Sequence, residues 1–397
     1  MRSRESQKRK SAPPPRRARH VETRRINAII PVLLVWFKET ARDLPWRRTT
    51  DPYAIWVAEI MLQQTQIKTV LPYWTRWMRA LPTIQALAAA SPEKIHKLWE
   101  GLGYYTRVRN LHKAAKVVVA RHNGTFPHQF EDILALPGIG RYTAGAICSI
   151  AFNQPKPILD GNVTRVLTRL FAVSGDPRGK KTNGRLWGLA EQLVLRASRC
   201  QSPIRDSQFM IHPHRRCSAL NQSLMELGAV ICTPKQPKCH RCPVAVRCLA
   251  FWEGAVEKLP ALQNRVSPTS RRFVAFVAAS RGRLLVRQRP PGVVNAHLWE
   301  FPNTESADDG ANLQAMARHV LGTSPRAVEP LCTIRHSITR YRITLDAYRV
   351  CLRTPPAKRA GVWLTRAQLR PLAFTGAHKK ILSKLNSTQR QRSSPLR

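Results

Sequence analysis

The chain has 397 residues and carries 66 Lys and Arg residues against 23 Asp and Glu residues, a net charge of +43. This excess of cations points to a polyanionic partner and lies far outside what a neutral small-molecule enzyme needs. Hydrophobic residues make up 43% of the chain, which is enough to give each of about two or three domains a core and excludes wholesale disorder.

The ends of the chain and its apolar segments bear on location. No segment reaches the ~18 uninterrupted apolar residues of a bilayer span, and the longest candidate, residues 29–37, contains Pro31. Residues 1–25 are basic and lack the apolar core of a secretion signal, so we predict a disordered tail that is simply solvated, contacts phosphates or acts as a nuclear address. We expect no membrane contact and a cytoplasmic, nucleoid-associated protein, nuclear or mitochondrial in a eukaryote.

Hydrophobic periodicity divides the rest of the chain. Residues 26–252 repeat apolar side chains at three- and four-residue spacing, which predicts an all-α region made of a domain over 26–225 and a cysteine-rich loop over 226–252. Residues 253–270 lose this periodicity and form a predicted linker. Short β-type runs then predict a mixed α/β domain over 271–386, with later strands at 331–334 and 341–351 and a basic tail over 387–397.

Four of the nine cysteines lie close together with the spacing C-x6-C-x2-C-x5-C, namely Cys232, Cys239, Cys242 and Cys248. This spacing lets four thiolates converge on one compact inorganic centre in a reducing compartment. Zinc is the alternative, but zinc ribbons usually pair two C-x2-C units, so we favour a [4Fe–4S] cluster whose main role is to cross-link the loop.

A glycine-containing turn lies between two predicted helices. It consists of Leu136, Pro137, Gly138, Ile139 and Gly140. Its glycines permit a tight turn that points backbone N–H groups outward at the start of the next helix, a geometry that binds phosphate. An ordinary helix–helix turn is the alternative.

Acidic residues are scarce, so those within apolar segments are candidate catalytic groups. The helical neighbours of Glu59 are largely apolar, which would raise its pKa and keep it protonated as a general acid. Asp160 precedes Gly161 and could remain ionised beside a developing cation. Together they resemble the two carboxyl groups of glycoside hydrolysis. An ion-pair role for Glu59 and a helix N-cap role for Asp160 remain open.

Several stretches in combination resemble adenine DNA glycosylases of the MutY type. The likeness covers about residues 26–385 and is carried by residues 51–66, 101–105, 136–144 and 158–163 together with the cysteine cluster. It implies a multidomain protein with an all-α helix-hairpin-helix glycosylase domain, a [4Fe–4S] module and an α/β MutT-like domain of Nudix fold. The implied partner of this monomer is double-stranded DNA with adenine opposite 8-oxoguanine or guanine, and the adenine is flipped out of the stack.

The resemblance also implies roles for individual residues. Glu59 would protonate the adenine at N7, and Asp160 would stabilise or trap the sugar cation with support from Tyr142 and Asn162. Residues implied to contact DNA or the base are Gln63, Gln64 and Tyr104 near the lesion, the turn over 136–140, and Trp46, Arg47 and Gln222 in the base pocket. Packing roles remain the alternative for Gln63 and Tyr104.

Position 142 separates this family from its nearest relatives. Endonuclease III-like enzymes carry a lysine there, whose amine forms a Schiff base and permits strand cleavage; this chain has Tyr142, and Thr164 stands where some bacterial members have another lysine. We therefore predict a monofunctional glycosylase. An endonuclease III-like glycosylase/lyase and a non-catalytic DNA-binding scaffold are the competing hypotheses.

Two segments depart from the family pattern. The MutT-like domain lacks the glutamates of a Nudix box between 310 and 322, so it should bind rather than hydrolyse nucleotides. Ile338, Thr339 and Arg340 replace the Phe-Ser-His loop that meets 8-oxoguanine, which weakens the expectation of strong 8-oxoguanine discrimination. Residues 200–217, with His212 and His214, form an apparent surface insertion, and a zinc site there is the less favoured reading.

Overall fold

The computed structural model describes residues 16–200, 215–262, 267–306, 312–338, 340–352 and 354–392. Within these ranges, side chains are described from residue 20 to residue 386, apart from Arg359. The segment 201–214, which contains His212 and His214, lies outside the described residues, and so does Thr339. No helix of the described chain is long and apolar enough to cross a membrane.

The first part of the chain is helical, as predicted. Its helices are α1 (Arg16–Thr40), α2 (Pro52–Leu62), α3 (Ile67–Ala80), α4 (Ile84–Ala89), α5 (Pro92–Trp99), α6 (Thr106–Arg121), α7 (Phe130–Leu134), α8 (Arg141–Ile150), α9 (Gly161–Leu170), α10 (Lys180–Ser198), α11 (Arg216–Val230) and α12 (Leu249–Trp252). Short 3-10 turns cover Pro45–Arg47, Cys239–Arg241 and Ala245–Arg247.

Side chains explain where several of these helices begin. Ser91 caps α5 by accepting a hydrogen bond from the Lys94 N–H (3.2 Å), and Asp51 accepts from the Tyr53 N–H (3.0 Å) at the start of α2. Helix α2 is apolar on all sides and buries Trp56 completely. A helix of this kind belongs in a core.

The chain folds as two compact units, each built from two stretches. One unit contains Met1–Glu59 and Pro127–Gln263, and the other contains Ile60–Phe126 and Asn264–Arg397. In the first unit, α11 packs against α1, α8, α9 and α10; in the second, α4 packs against α6 and α5 lies between α3 and α6. The structure thus differs from the predicted linear division, because residues 60–126 belong to the same unit as the C-terminal sheet.

Two predicted boundaries also shift. Helix α1 begins at Arg16, inside the segment predicted to be a disordered tail, and its apolar face buries Ile26, Ile29 and Leu33. The last helix continues to Arg392, beyond the predicted start of the C-terminal tail. In both places a helix extends past its buried part into basic sequence, which hydrophobic periodicity alone does not reveal.

The C-terminal part is mixed α/β, as predicted. Its elements are β1 (Thr269–Ser280), β2 (Arg283–Gln288), β3 (Trp299–Glu300), β4 (Asn303–Ser306), α13 (Leu313–Leu321), β5 (Pro325–Ile338), β6 (Tyr341–Leu352), β7 (Val362–Thr365), α14 (Arg366–Leu369) and α15 (Gly376–Arg392). The sheet order is β3-β2-β1-β6-β5, with β4 beside β1 and β7 beside β2. Strands β1 and β6 run parallel, and the other strand pairs are antiparallel.

Alternation along β1 builds a core on each face of this sheet. Ala275 and Val277 pack with α15 on one face, whereas Val274 and Phe276 pack with α13 on the other. The central strand is therefore buried on both sides, and this explains its nearly continuous apolar sequence.

Candidate active site and nucleic-acid interface

Glu59 lies in the last turns of α2 and is only 4% exposed. Its Oε2 accepts a hydrogen bond of 2.7 Å from the Tyr142 hydroxyl. Burial raises the pKa of Glu59 to about 7, although the hydrogen bond from Tyr142 acts in the opposite direction. This carboxyl can therefore hold a proton near neutral pH, as the sequence predicted.

Asp160 is the N-cap of α9. Its Oδ1 accepts from the Val163 N–H (2.6 Å) and its Oδ2 from the Asn162 amide (3.3 Å). Burial raises the pKa of Asp160, and these hydrogen bonds and Arg165 oppose the rise. The N-cap role, which the sequence left as an alternative, is thus real, and the helix N-terminus at the same time favours a negative charge on this group.

The four predicted catalytic residues belong to one site. Burial, followed by the charges of Glu59 and Asp160, raises the Tyr142 pKa well above its usual value, and the charge of Asp160 also acts to raise the pKa of Glu59. Asn162 connects to the same site through its bond to Asp160. The chain therefore brings together groups that come from α2, α8 and the start of α9.

One predicted base-pocket residue, Arg47, binds a buried carboxylate that sequence reasoning missed. Glu226, on α11, is 1% exposed and accepts from Arg42 Nε (2.6 Å) and Arg47 Nη2 (2.8 Å). Burial would raise the pKa of Glu226, but the two arginines outweigh it and lower the pKa. Trp46 is buried beside Arg47 in sequence, and Gln222 lies one helical turn before Glu226 and donates to Ser218 Oγ (3.0 Å).

The signal for Glu226 was present in the sequence. It is an acidic residue in an apolar helical stretch, which is the criterion that identified Glu59. Its i−4 neighbour Gln222 was already a candidate, so helical spacing would have placed the carboxylate on the same face.

The predicted phosphate-binding turn has two kinds of residue. Leu136 and Ile139 are buried at 3% and 7% exposure, so their side chains hold the turn in the core. Gly138 and Gly140 are exposed, and Gly138 adopts a left-handed conformation with φ +78°. Helix α8 begins directly after Gly140, which as a glycine has no side chain to cap the helix. The turn can thus offer backbone, rather than side-chain, contacts to an anion.

Arg107 joins the two segments predicted to enter DNA, within the second unit. Its guanidinium donates to the carbonyls of Met61 (2.9 Å), Gln63 (2.6 Å) and Gly103 (3.2 Å), and it lies 5.5 Å from the centre of the Tyr104 ring.

The same segments carry the exposed candidate side chains. Gln64 is exposed with φ +56°, and Tyr104 is 44% exposed with φ +49°. Gln63 is half-buried, in line with the packing alternative.

The predicted 8-oxoguanine loop is the tip of the β5–β6 hairpin. Ile338 pairs with Tyr341 across the hairpin, and Arg340 lies in the turn between the two strands. Arg340 is exposed, and its Nη2 donates to the Tyr341 hydroxyl (3.0 Å). The turn thus presents a cation beside an aromatic ring.

The four clustered cysteines line one apolar cavity as free thiols. Cys232, Cys239, Cys242 and Cys248 form its walls together with Val166, Leu170, Leu227 and Phe251. Burial raises the pKa of Cys242 to about 12, so this thiol is neutral unless a metal binds it. Among the described residues, no three Cys, His, Asp or Glu side chains are placed to hold a single metal ion.

Two arginines of α9, which sequence reasoning did not single out, tie the catalytic turn to the cysteine segment. Arg165 donates to Asn162 Oδ1 (2.8 Å) and to the Cys232 carbonyl (2.7 Å), and Arg169 donates to Cys232 Sγ (3.4 Å). Gly228 is also required for close approach, because a Cβ there would lie 2.6 Å from the Cβ of Asn162. The cysteine segment thus helps to hold Asn162, and through it Asp160, in place.

Comparison with known proteins agrees with this geometry. Residues 57–192 match the HhH-GPD superfamily of base excision DNA repair proteins, and residues 273–384 match the NUDIX domain family. Human adenine DNA glycosylase is 35% identical, over 88% of this chain and 72% of the human protein. The rat enzyme is 36% identical over 88% and 76%, and the Arabidopsis thaliana enzyme is 38% identical over 72% and 49%.

These matches confirm the predicted fold class, a helix-hairpin-helix glycosylase domain followed by a Nudix domain. The relatives match over most of the chain, and the two family matches fall on the helical part and on the C-terminal α/β part, which carry the candidate residues. The chain belongs to the adenine DNA glycosylase family of base excision repair enzymes.

Proposed function

We propose that this enzyme excises adenine opposite 8-oxoguanine or guanine from double-stranded DNA and leaves the strand uncut. The observation that carries this proposal is the pair of carboxyl groups, in which buried Glu59 is hydrogen-bonded to Tyr142 and half-buried Asp160 caps α9. Work on chromosomal DNA would place the enzyme at the nucleoid or, in a eukaryote, in the nucleus or mitochondrion.

The reaction begins with a flipped-out adenine, because the glycosidic bond is inaccessible inside a duplex. Protonated Glu59 gives its proton to N7 of the base, and the C1′–N9 bond breaks with its electrons moving to the adenine. Asp160 stabilises the resulting sugar cation, and water adds at C1′ and loses a proton; if Asp160 has instead trapped C1′ through a C1′–O bond, that bond breaks as water attacks and the carboxylate leaves. Tyr142 and Asn162 hold the two carboxyl groups in position.

The pocket residues serve recognition. Glu226 fixes Arg47 beside Trp46, so the guanidinium stands ready as a rigid donor for the extruded base. Gln222 lies on the same helix and supplies an amide. Gln64 and Tyr104 contact the duplex near the lesion, with Gln63 behind them, and residues 338–340 contact the opposite base.

Position 142 argues against a lyase. Schiff-base chemistry needs an amine at that place, and the Tyr142 hydroxyl is instead engaged with Glu59. The intact carboxyl pair argues against a scaffold without activity.

The four cysteines fit a [4Fe–4S] cluster. The four thiolates would hold the irons of such a cluster, and their spacing C-x6-C-x2-C-x5-C differs from the two C-x2-C units that zinc ribbons usually pair. When bound, the cluster cross-links residues 232–248 and stiffens the segment to which Arg165 and Arg169 bind. Four iron and four sulfide ions per chain, with no zinc, would support this assignment; one zinc per chain would overturn it.

A single-turnover assay tests the activity. Duplexes carry adenine opposite 8-oxoguanine, guanine or thymine, and a further duplex carries an oxidised pyrimidine. Half of each reaction is treated with alkali. We expect release of adenine opposite 8-oxoguanine and guanine, with strand breaks only after alkali. Breaks without alkali, or release of the pyrimidine in place of adenine, would establish the endonuclease III-like alternative.

A further inference from the structure

Glu100 is a buried carboxylate outside the site described above. It follows α5 directly and is 6% exposed. Its Oε1 accepts from the Phe374 N–H (2.9 Å), and its Oε2 accepts from Lys379 Nζ (2.7 Å) and Lys97 Nζ (3.0 Å). Burial acts to raise the pKa of Glu100, but these three donors lower it below its usual value. The carboxylate is therefore an anion that three donors, from Phe374, Lys379 and Lys97, hold in a fixed position.

On one side, Glu100 reaches the core of the C-terminal domain. Phe374 is 1% exposed and packs against Phe301, 6.1 Å between ring centres. The strand residue Trp299 donates to the Ala373 carbonyl (2.9 Å) and accepts from the Thr375 N–H (3.1 Å). The segment that binds Glu100 is thus part of the sheet structure rather than a loose loop.

On the other side, Glu100 begins the turn that carries Tyr104. The backbone leaves it through left-handed residues at Gly101 (φ +111°), Gly103 (φ +73°) and Tyr104 (φ +49°). The Glu100 carbonyl accepts from the Tyr73 hydroxyl (2.9 Å), which fixes the start of this turn. A displacement of Glu100 would therefore move Tyr104.

Further contacts connect the same two parts of the second unit. Lys97 Nζ also donates to the Leu372 carbonyl (2.9 Å). The His96 ring stacks on His297 at 6.4 Å between ring centres with 11° between the planes, and Arg109 donates to the Ala296 carbonyl (3.4 Å). Helices α5 and α6 are thus docked on the C-terminal domain at two places, residues 372–374 and residues 296–297. Of the contacts just described, only those of Glu100 involve a carboxylate.

We propose that Glu100 is a positioning residue that couples the C-terminal domain to the Tyr104 turn and thereby sets the preference for adenine opposite 8-oxoguanine. This inference rests on the proposed function of residues 338–340 as the reader of the opposite base. Residues 338–340 and Tyr104 belong to one compact unit, so the two contact the duplex in a fixed relation. A lesion that residues 338–340 bind therefore aligns Tyr104. Without Glu100 the two contacts become independent.

The test compares single-turnover rates of adenine release opposite 8-oxoguanine and opposite guanine. The variants are Glu100→Ala, which removes every side-chain contact, and Glu100→Gln, which keeps an acceptor for the Phe374 N–H but loses the charge. Glu93→Gln is the matched control, because Glu93 lies exposed on the same helix. Melting temperatures of all variants identify any general loss of folding.

We expect Glu100→Ala to lower the preference for 8-oxoguanine over guanine about tenfold, the equivalent of one lost hydrogen bond to a charged group. The rate opposite guanine should stay within about twofold, since that substrate depends less on the reader. Glu100→Gln should lie between Glu100→Ala and the wild type, and Glu93→Gln should match the wild type. Equal loss on both substrates, or an unchanged preference in Glu100→Ala, would overturn the coupling.

Hydrogen exchange tests the coupling without reference to substrate. In Glu100→Ala, the amides of residues 372–375 and of residues 101–105 should exchange together, about tenfold faster than in the wild type. Faster exchange in only one of these segments would contradict the coupling. If the wild type itself shows no preference for 8-oxoguanine, the proposed function of residues 338–340 fails, and this exchange measurement alone decides whether the two segments are coupled.

Discussion

Glu59 and Glu226 lie in the same unit and are almost equally buried, yet their surroundings differ. Glu226 has Arg42 and Arg47 within hydrogen-bonding distance, and its pKa is lowered. Glu59 has one neutral donor, Tyr142, and its pKa is raised to about 7. Among the buried acidic residues of the described chain, Glu100, Glu226, Glu300 and Asp346 each bind an arginine or lysine directly, whereas Glu59 binds Tyr142. The difference separates a group that must stay charged from a group that must carry a proton.

The comparison predicts its largest effect at Glu59 itself. Glu59→Gln keeps the size of the side chain but cannot deliver a proton, so the single-turnover rate of adenine release should fall by about 10²–10⁴-fold. Glu191→Gln, at an exposed site on α10, is the control and should leave the rate unchanged. DNA affinity should persist in both variants. A Glu59→Gln enzyme within tenfold of the wild type would show that another group supplies the proton.

The second effect concerns Glu226. Glu226→Gln leaves Arg47 buried without its anion, so the free energy of unfolding should fall by about 3–5 kcal/mol, as for other broken buried ion pairs. The rate should also fall, because Arg47 would no longer be fixed beside Trp46. Urea unfolding compares the free energies of unfolding of Glu226→Gln and Glu59→Gln. Glu59→Gln should be at least as stable as the wild type, because it removes a buried ionisable group. Equal destabilisation by both substitutions would remove the distinction between the two glutamates.

A smaller effect should follow at the glycine that supports Asp160. In Gly228→Ala the new Cβ meets Asn162, so we expect a loss of about 1–3 kcal/mol from overpacking and a slower reaction. Gly188→Ala is the matched control on α10, where no atom lies within 4 Å of a new Cβ and alanine favours the helix. Thermal unfolding and the single-turnover rate provide both readouts. A Gly228→Ala enzyme as stable and active as the control would contradict the close packing at Asn162.

The comparison also shows what could be read from the sequence. Glu59 and Asp160 were predictable because local neighbours, namely apolar helix positions and a following glycine, define their setting. The bond between Glu59 and Tyr142 joins residues 83 positions apart, and the pairing of Glu226 with Arg42 spans 184 positions, so tertiary packing alone creates them. For the same reason, the sequence predicted the helices and the α/β domain but not that residues 60–126 join the C-terminal sheet in one unit.

The central claim is that Glu59 acts in its protonated form, and the pH dependence of adenine release tests it directly. Under single-turnover conditions the rate should fall about tenfold per pH unit above a pH of about 7, because burial sets the Glu59 pKa at about 7. In Tyr142→Phe the fall should move to higher pH, since the lost hydrogen bond had favoured the ionised carboxyl. A rate that rises with pH through this range, or a profile that Tyr142→Phe leaves in place, would contradict the assignment of Glu59 as the acid.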